Sequence, residues 1–138
     1  MIRAIQKEDL KLISKWESEC FKDAWDVSSL EEELNYDYAY GFLIEDIGYV
    51  WVYELYENAE IVRIGITPGH RGCGYAKELM DFVYDHARKN ACEQMTLEVR
   101  VSNESAISLY KKCGLSISHR SKSHYSDGED AYVMIGSL

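Results

Sequence analysis

The period of the apolar residues changes repeatedly along this chain, and the order of the changes leaves few folds open. Between residues 40 and 66, YGFLIED, IGYVWVYELY and EIVRIGI alternate with a period near two. They predict three successive strands, joined at Asp46 and at Glu57-Asn58-Ala59 as an antiparallel meander. After Pro68-Gly69 the apolar residues Ala76, Leu79, Met80, Val83 and Ala87 fall at helical spacing, which predicts a helix of about three turns. MTLEVRV (95–101) returns to period two, with Glu98 on its polar face. Asn103 suits the N-cap of a further helix with the stripe Ala106, Leu109, Tyr110 and Cys113, which Gly114 stops. LSISHR and AYVMIG then flank the turn signal Asp127-Gly128. Strand, helix, strand, helix, strand demands a right-handed crossover and at least one parallel pair, so the sheet is expected to be mixed.

The N-terminal part supplies a short strand, IRAI, and a helix from Leu10 through Ile13 and Trp16 to Cys20, with Asp9 as its cap. Ser28-x-x-Glu31 and Ser29-x-x-Glu32 both have capping-box spacing and open a second short helix, LEEELN. The expected order is β-α-α-β-β-β-α-β-α-β-β, an α/β fold around a mixed, twisted sheet of about seven strands.

A length of 138 residues suits one domain, taken as 1–138. No apolar run approaches the roughly 20 residues of a membrane span, so no membrane partner is expected. MIRAIQKEDL is charged from Arg3 onward and lacks the apolar stretch of a signal peptide, which favours a cytoplasmic location. Cys20, Cys73, Cys92 and Cys113 form no C-x-x-C pair and the four histidines no H-x-x-x-H pair, so no metal site is expected. A net charge of −9 argues against a nucleic-acid surface and favours encounter with a cationic partner such as an amine or basic peptide.

HRGCGYAKEL, residues 70–79, carries two of the chain's nine glycines into the start of a predicted helix. The first backbone N–H groups of a helix have no partners inside it, and the peptide dipoles add about half a positive charge there. Gly72 and Gly74 let amides turn inward toward phosphate oxygens, while Arg71 and Lys77 add charge at the rim. Taken alone, the same pattern is equally that of a tight turn. It matches neither G-x-x-x-x-G-K-[ST] nor G-x-G-x-x-G, which leaves some other phosphate-bearing ligand.

With the preceding strand IVRIGI, R-G-C-G-Y-A resembles the acyl-coenzyme A signature of the GNAT superfamily of N-acetyltransferases, Q/R-x-x-G-x-G/A. LEVRVSNESAISLYKKCGL (97–115) resembles that superfamily's second signature, and the strand and helix order matches from residue 2 to 135. Within the superfamily the chain is most similar to the bacterial ribosomal-protein-alanine N-acetyltransferase family, through LEVR, SN, A-I-x-L-Y and the ending DG-ED-A-x-x-M. It departs from that family's pattern at Ala24-Trp25 (Pro-Trp in the family), His124-Tyr125 (Tyr-Tyr) and Leu115 (Phe), and its final loop is shorter. Most of these departures lie on the acceptor side.

The resemblance implies acetyl-CoA as co-substrate. It implies that Ile64, Gly65 and Ile66 pair with the pantetheine arm as a sheet edge does. Arg71, Gly72, Cys73, Gly74, Tyr75, Ala76 and Lys77 would hold the pyrophosphate, and Asn103 would contact the arm. Glu98 and Tyr110 would carry the chemistry from either side of the thioester: Glu98 accepts the amine's proton and the Tyr110 hydroxyl donates to sulfur, each worth about 10²- to 10⁴-fold. Alignment of amine and thioester supplies up to roughly 7 to 11 kcal/mol. An α-amine of pKa about 7.7 to 8.0 is partly neutral at pH 7.5, whereas a lysine costs roughly 4 kcal/mol to deprotonate, so one modest base suits a protein N-terminus. Trp25 and Asp26, between the first two helices, and His124 and Tyr125, in the last hairpin, are the candidate acceptor-binding residues. Two other readings keep the fold: transfer to a small amine or a lysine side chain, and a non-catalytic acyl-CoA-binding module that regulates a partner.

Overall fold

In a computed structural model describing residues 1–138, one seven-stranded sheet runs in the order β1-β2-β3-β4-β5-β7-β6. The strands are β1 (Ile2–Ala4), β2 (Ala39–Ile44), β3 (Gly48–Leu55), β4 (Asn58–Ile66), β5 (Gln94–Arg100), β6 (Ser116–Ser121) and β7 (Ala131–Ser137). The helices are α1 (Leu10–Cys20), α2 (Val27–Leu34), α3 (Tyr75–Lys89) and α4 (Glu104–Lys112). The expected element order and mixed sheet are both present: β4 and β5 form the parallel pair and every other pair is antiparallel.

Apolar side chains leave the sheet on both faces because each face is covered by helices. On one, Leu79, Met80 and Val83 of α3 and Ile107 and Tyr110 of α4 pack on Val50, Val52, Ile61, Leu97, Val99 and Met134. On the other, Leu10, Ile13 and Trp16 of α1 and Leu30 of α2 pack on Leu43, Tyr49 and Trp51.

Local signals are displaced at several points. The side chain of Asp26 caps α2 by accepting from the Ser29 N–H at 2.8 Å, so neither serine capping box forms. Asp9 precedes α1 but is engaged with Arg3 at 2.8 Å and with the Gln6 N–H at 2.7 Å. Asn58 and Ala59 belong to β4, so the turn before it is tighter than expected, with Tyr56 at a φ of 56°. Helix α3 spans 15 residues, about a turn longer than its stripe suggested, and Ile107 rather than Ala106 is the apolar anchor of α4 beside Tyr110. A nine-residue loop (122–130) joins β6 and β7 in place of a tight turn.

Two irregularities shape the centre of the sheet. Trp51 pairs with Arg63 and Val52 with Ile61, so Val62 is an extra residue in β4. Such a bulge reverses the alternation. Ile61 and Ile64 face the α3 layer, while Arg63 and Gly65 face the α1 layer. Beyond it, β4 and β5 part: their pairing ends at Ile61 with Leu97, although β4 runs on to Ile66 and β5 to Arg100.

Candidate active site

A cleft of about 670 Å³ occupies the gap where β4 and β5 diverge. Its floor is the free edge of β4 from Glu60 to Ile64 and the facing stretch of β5 from Leu97 to Arg100. Glu98 and Tyr110 both line it, together with Asn103, His124 and Tyr125. The two candidate catalytic residues come from different layers. Glu98 leaves β5 on the face opposite Leu97 and Val99, whereas Tyr110 belongs to the α3–α4 core and is 8% exposed. They share one cleft because the sheet is open between its two central strands.

The ionisation of Tyr110 suits a proton donor. Burial, then the neighbouring Cys113, pushes its hydroxyl well above the ordinary tyrosine value, so it holds its proton at neutral pH. Glu98 is held from the loop between β6 and β7: His124 Nε2 lies 2.8 Å from Glu98 Oε2. Glu60, on the neighbouring strand, lines the same cleft, and burial, then the charge of Glu98, raises its carboxyl above the usual value.

The glycine turn has the predicted form. Gly72 and Gly74 adopt φ of 77° and 87°, the left-handed region that favours glycine, and Gly74 is the N-cap of α3. A Cβ placed on either meets nothing within 4 Å, so the turn opens onto free space. The first α3 bond is Glu78 N–H to Gly74 O at 3.2 Å, which leaves the N–H groups of Tyr75, Ala76 and Lys77 without helical partners at that opening. These features fit a diphosphate. The cationic side chains sit elsewhere than expected: Arg71 Nε donates to the Ile66 carbonyl at 2.9 Å, and Lys77 lies along α3 on Asp81 at 2.8 Å. Cys73 is exposed, with its thiol 3.7 Å from the Arg71 carbonyl, and Tyr75 packs edge-on to His70. Gly65 has a packing reason: a Cβ there would stand 2.9 Å from the Tyr49 ring. Asn103 caps α4 through the Ala106 N–H at 3.3 Å while facing the cleft.

Two loops flank the cleft, and their anchors were not legible in local sequence. The α1–α2 connection, residues 21–26, is fastened by Glu17, which is fully buried. Its carboxylate accepts from the Trp25 N–H at 2.8 Å and from the Tyr49 hydroxyl, and lies 3.3 Å from Arg63 Nε. The Arg63 guanidinium lies 4.5 Å from the ring centres of Phe21 and Trp25, and it donates to the Asp23 carbonyl at 2.9 Å. Trp25 therefore serves as a packing partner of Arg63 and Trp51, and Asp26 as a helix cap. Neither of these candidate acceptor residues lines the cleft, whereas Phe21 and Asp23 of the same loop do. Opposite, Arg100 carries the β6–β7 loop: it pairs with Asp127 and Glu129, both at 2.9 Å, and stacks 4.0 Å from the Tyr125 ring centre. The Asp127 carboxyl is held down to about 2, first by the Glu129 N–H and then by Arg100. Lys22 reaches Asp127 at 3.4 Å, joining the two loops.

The profile of the acetyltransferase (GNAT) family matches residues 10–115. A Bacillus subtilis (strain 168) protein, provisionally named a ribosomal protein bS18-alanine N-acetyltransferase, is 32% identical over 139 residues, covering 96% of this chain and 92% of its own. The ribosomal protein bS18-alanine N-acetyltransferase of Haemophilus influenzae (strain ATCC 51907 / DSM 11121 / KW20 / Rd) is 29% identical over 141 residues, covering 97% and 96%. Among solved structures, the ribosomal-protein-S18-alanine N-acetyltransferase from Escherichia coli matches the fold with a TM-score of 0.90, over 100% of this chain and 93% of its own, at 21% identity.

Proposed function

Because the chain belongs to the GNAT family of acetyltransferases, we propose that it acetylates the N-terminal α-amine of a protein, of the ribosomal-protein-alanine type, using acetyl-CoA. The observation that carries this reading is the opening between β4 and β5, which Glu98 and Tyr110 both line.

Bound acetyl-CoA supplies the acetyl group as a thioester. The residues that would hold it are the edge of β4 at Ile64–Ile66, by strand-like pairing, the amides of residues 72–77, and Asn103 at the start of α4. Glu98 takes the proton from the acceptor's ammonium and presents a neutral amine. Tyr110, kept protonated by burial, passes its proton to the departing sulfur. Glu60, Glu98 and Asp23 line the cleft and make the acceptor side receptive to a cationic N-terminus. The names of the most similar relatives support the N-terminal acceptor.

Mass spectrometry after incubation with acetyl-CoA and an equimolar mixture of an Ala-starting peptide, a lysine peptide and spermidine tests the acceptor. Acetyl on the α-amine of the Ala peptide is expected. Transfer to lysine or spermidine instead reassigns the acceptor, and binding of CoA without transfer to any amine favours a regulatory module.

Gly74→Val tests the cradle. A β-branched residue at a φ of 87° strains the turn and fills the opening. The expected cost is about 1 to 2 kcal/mol in backbone strain alone, with a further loss of contact to phosphate. Calorimetric titration with coenzyme A is expected to show at least a tenfold weaker Kd, and an unchanged Kd dismisses the cradle.

A further inference from the structure

We propose that His124 is a positioning residue for Glu98, an inference that rests on the reading of Glu98 as the proton acceptor. His124 Nε2 faces one oxygen of Glu98, Oε2, at 2.8 Å; a carboxylate oxygen offers only lone pairs, so the ring nitrogen is the partner that brings the proton to this contact when it carries one. That fixes one carboxylate oxygen and leaves Oε1 for the incoming amine. A glutamate with three rotatable bonds on the polar face of a strand has no such preference by itself, and Glu98 and His124 are each about one third exposed, 35% and 32%.

The imidazole has two further neighbours. Ser121 Oγ lies 3.4 Å from Nδ1, and the Tyr125 ring meets it edge-on with centroids 4.9 Å apart. Tyr125 in turn lies under Arg100, which stands two residues beyond Glu98 on the same face of β5 and pairs with Asp127 and Glu129. One strand therefore carries both the base and the cation that docks the loop bearing the base's partner. His124 lines the cleft with its Nε2 turned to Glu98, so on this proposal it places the carboxylate rather than holding the acceptor peptide.

The experiment measures steady-state thiol release from acetyl-CoA with the Ala-starting peptide as acceptor, for wild type, His124→Ala, His124→Gln, Glu98→Gln and the Glu98→Gln/His124→Ala double variant. Removing the outer partner that orients a metal-ligating side chain typically costs about 10- to 100-fold, and the same scale is expected for the partner of a proton-accepting carboxylate. His124→Ala is expected to lower kcat by that factor, with the KM for peptide and acetyl-CoA changed less than about threefold. The side-chain N–H of His124→Gln is expected to restore most of the lost kcat. In the Glu98→Gln background, His124→Ala is expected to cause no further fall, because both act through one group. A raised peptide KM with wild-type kcat, a Gln variant as impaired as the Ala variant, or additive losses in the double variant each overturn the assignment while leaving the acetyltransfer reading standing. Wild-type protein that releases no thiol with any amine overturns that reading and this assignment together.

Discussion

Tyr110→Phe is expected to lower kcat by about 10²- to 10⁴-fold and to leave acetyl-CoA affinity unchanged. The ring of Tyr110 is part of the core between α4 and the sheet and lies 8% exposed, so phenylalanine keeps the packing and removes a single hydroxyl. That hydroxyl faces the cleft from a site where burial holds its proton in place, which is what a donor to a leaving thiolate requires and what a nucleophile or base would not. Steady-state kinetics beside calorimetry with coenzyme A separates the two effects. Equal kcat in variant and wild type removes Tyr110 from the mechanism; weaker coenzyme A binding with unchanged kcat makes it a wall of the cofactor site.

The second large effect lies in stability. Arg63→Met is expected to destabilise the protein by about 3 to 5 kcal/mol, the usual result of stranding one member of a buried ion pair. Glu17 is fully buried, and Arg63, at 12% side-chain exposure, is its cationic partner at 3.3 Å. Methionine preserves much of the aliphatic stem but loses the charge, the guanidinium over the Phe21 and Trp25 rings and the bond to the Asp23 carbonyl. Urea unfolding followed by far-UV circular dichroism reads the change directly. A loss below about 1 kcal/mol, the scale of an exposed pair, would show that Glu17 is supported by the Trp25 N–H and the Tyr49 hydroxyl without need of the cation.

The sequence discloses those parts of the fold whose cause is local. Alternation in β2, β3 and β5, the stripe of α3, the Asn103 cap and the two left-handed glycines at 72 and 74 follow from the few residues around each, and the structure has all of them. Glu98 and Tyr110 stand out in the sequence as candidates, but the reason they line one cleft is not legible there. It depends on the bulge at Val62 and on the parting of β4 from β5, neither of which leaves a mark on periodicity. Competing local signals misled at α2, where Asp26 outcompetes Ser28 and Ser29 because its carboxylate reaches the N3 amide first. Glu17, Arg63 and Glu60 were invisible as site residues: their partners stand far away in sequence, as Tyr49 does from Glu17, and each reads locally as an ordinary charge on a helix or strand. His124 shows the same limit: Asp127-Gly128 signals the turn in its loop, with Gly128 at a φ of 90°, but not that Arg100 draws the loop over Glu98.

The halves of the sheet, β1–β4 and β5–β7–β6, are stitched together by four parallel rungs, Asn58 with Gln94 through Ile61 with Leu97. Strand pairing has a side-chain period of two, so a slip of one rung would aim Glu98 at the hydrophobic layer and Leu97 or Val99 at the acceptor, while both antiparallel halves stayed folded. Substitutions at Ala59 or Met95, fully buried at this seam just before the cleft floor begins at Glu60 and Leu97, therefore act on turnover through register rather than through contact with substrate.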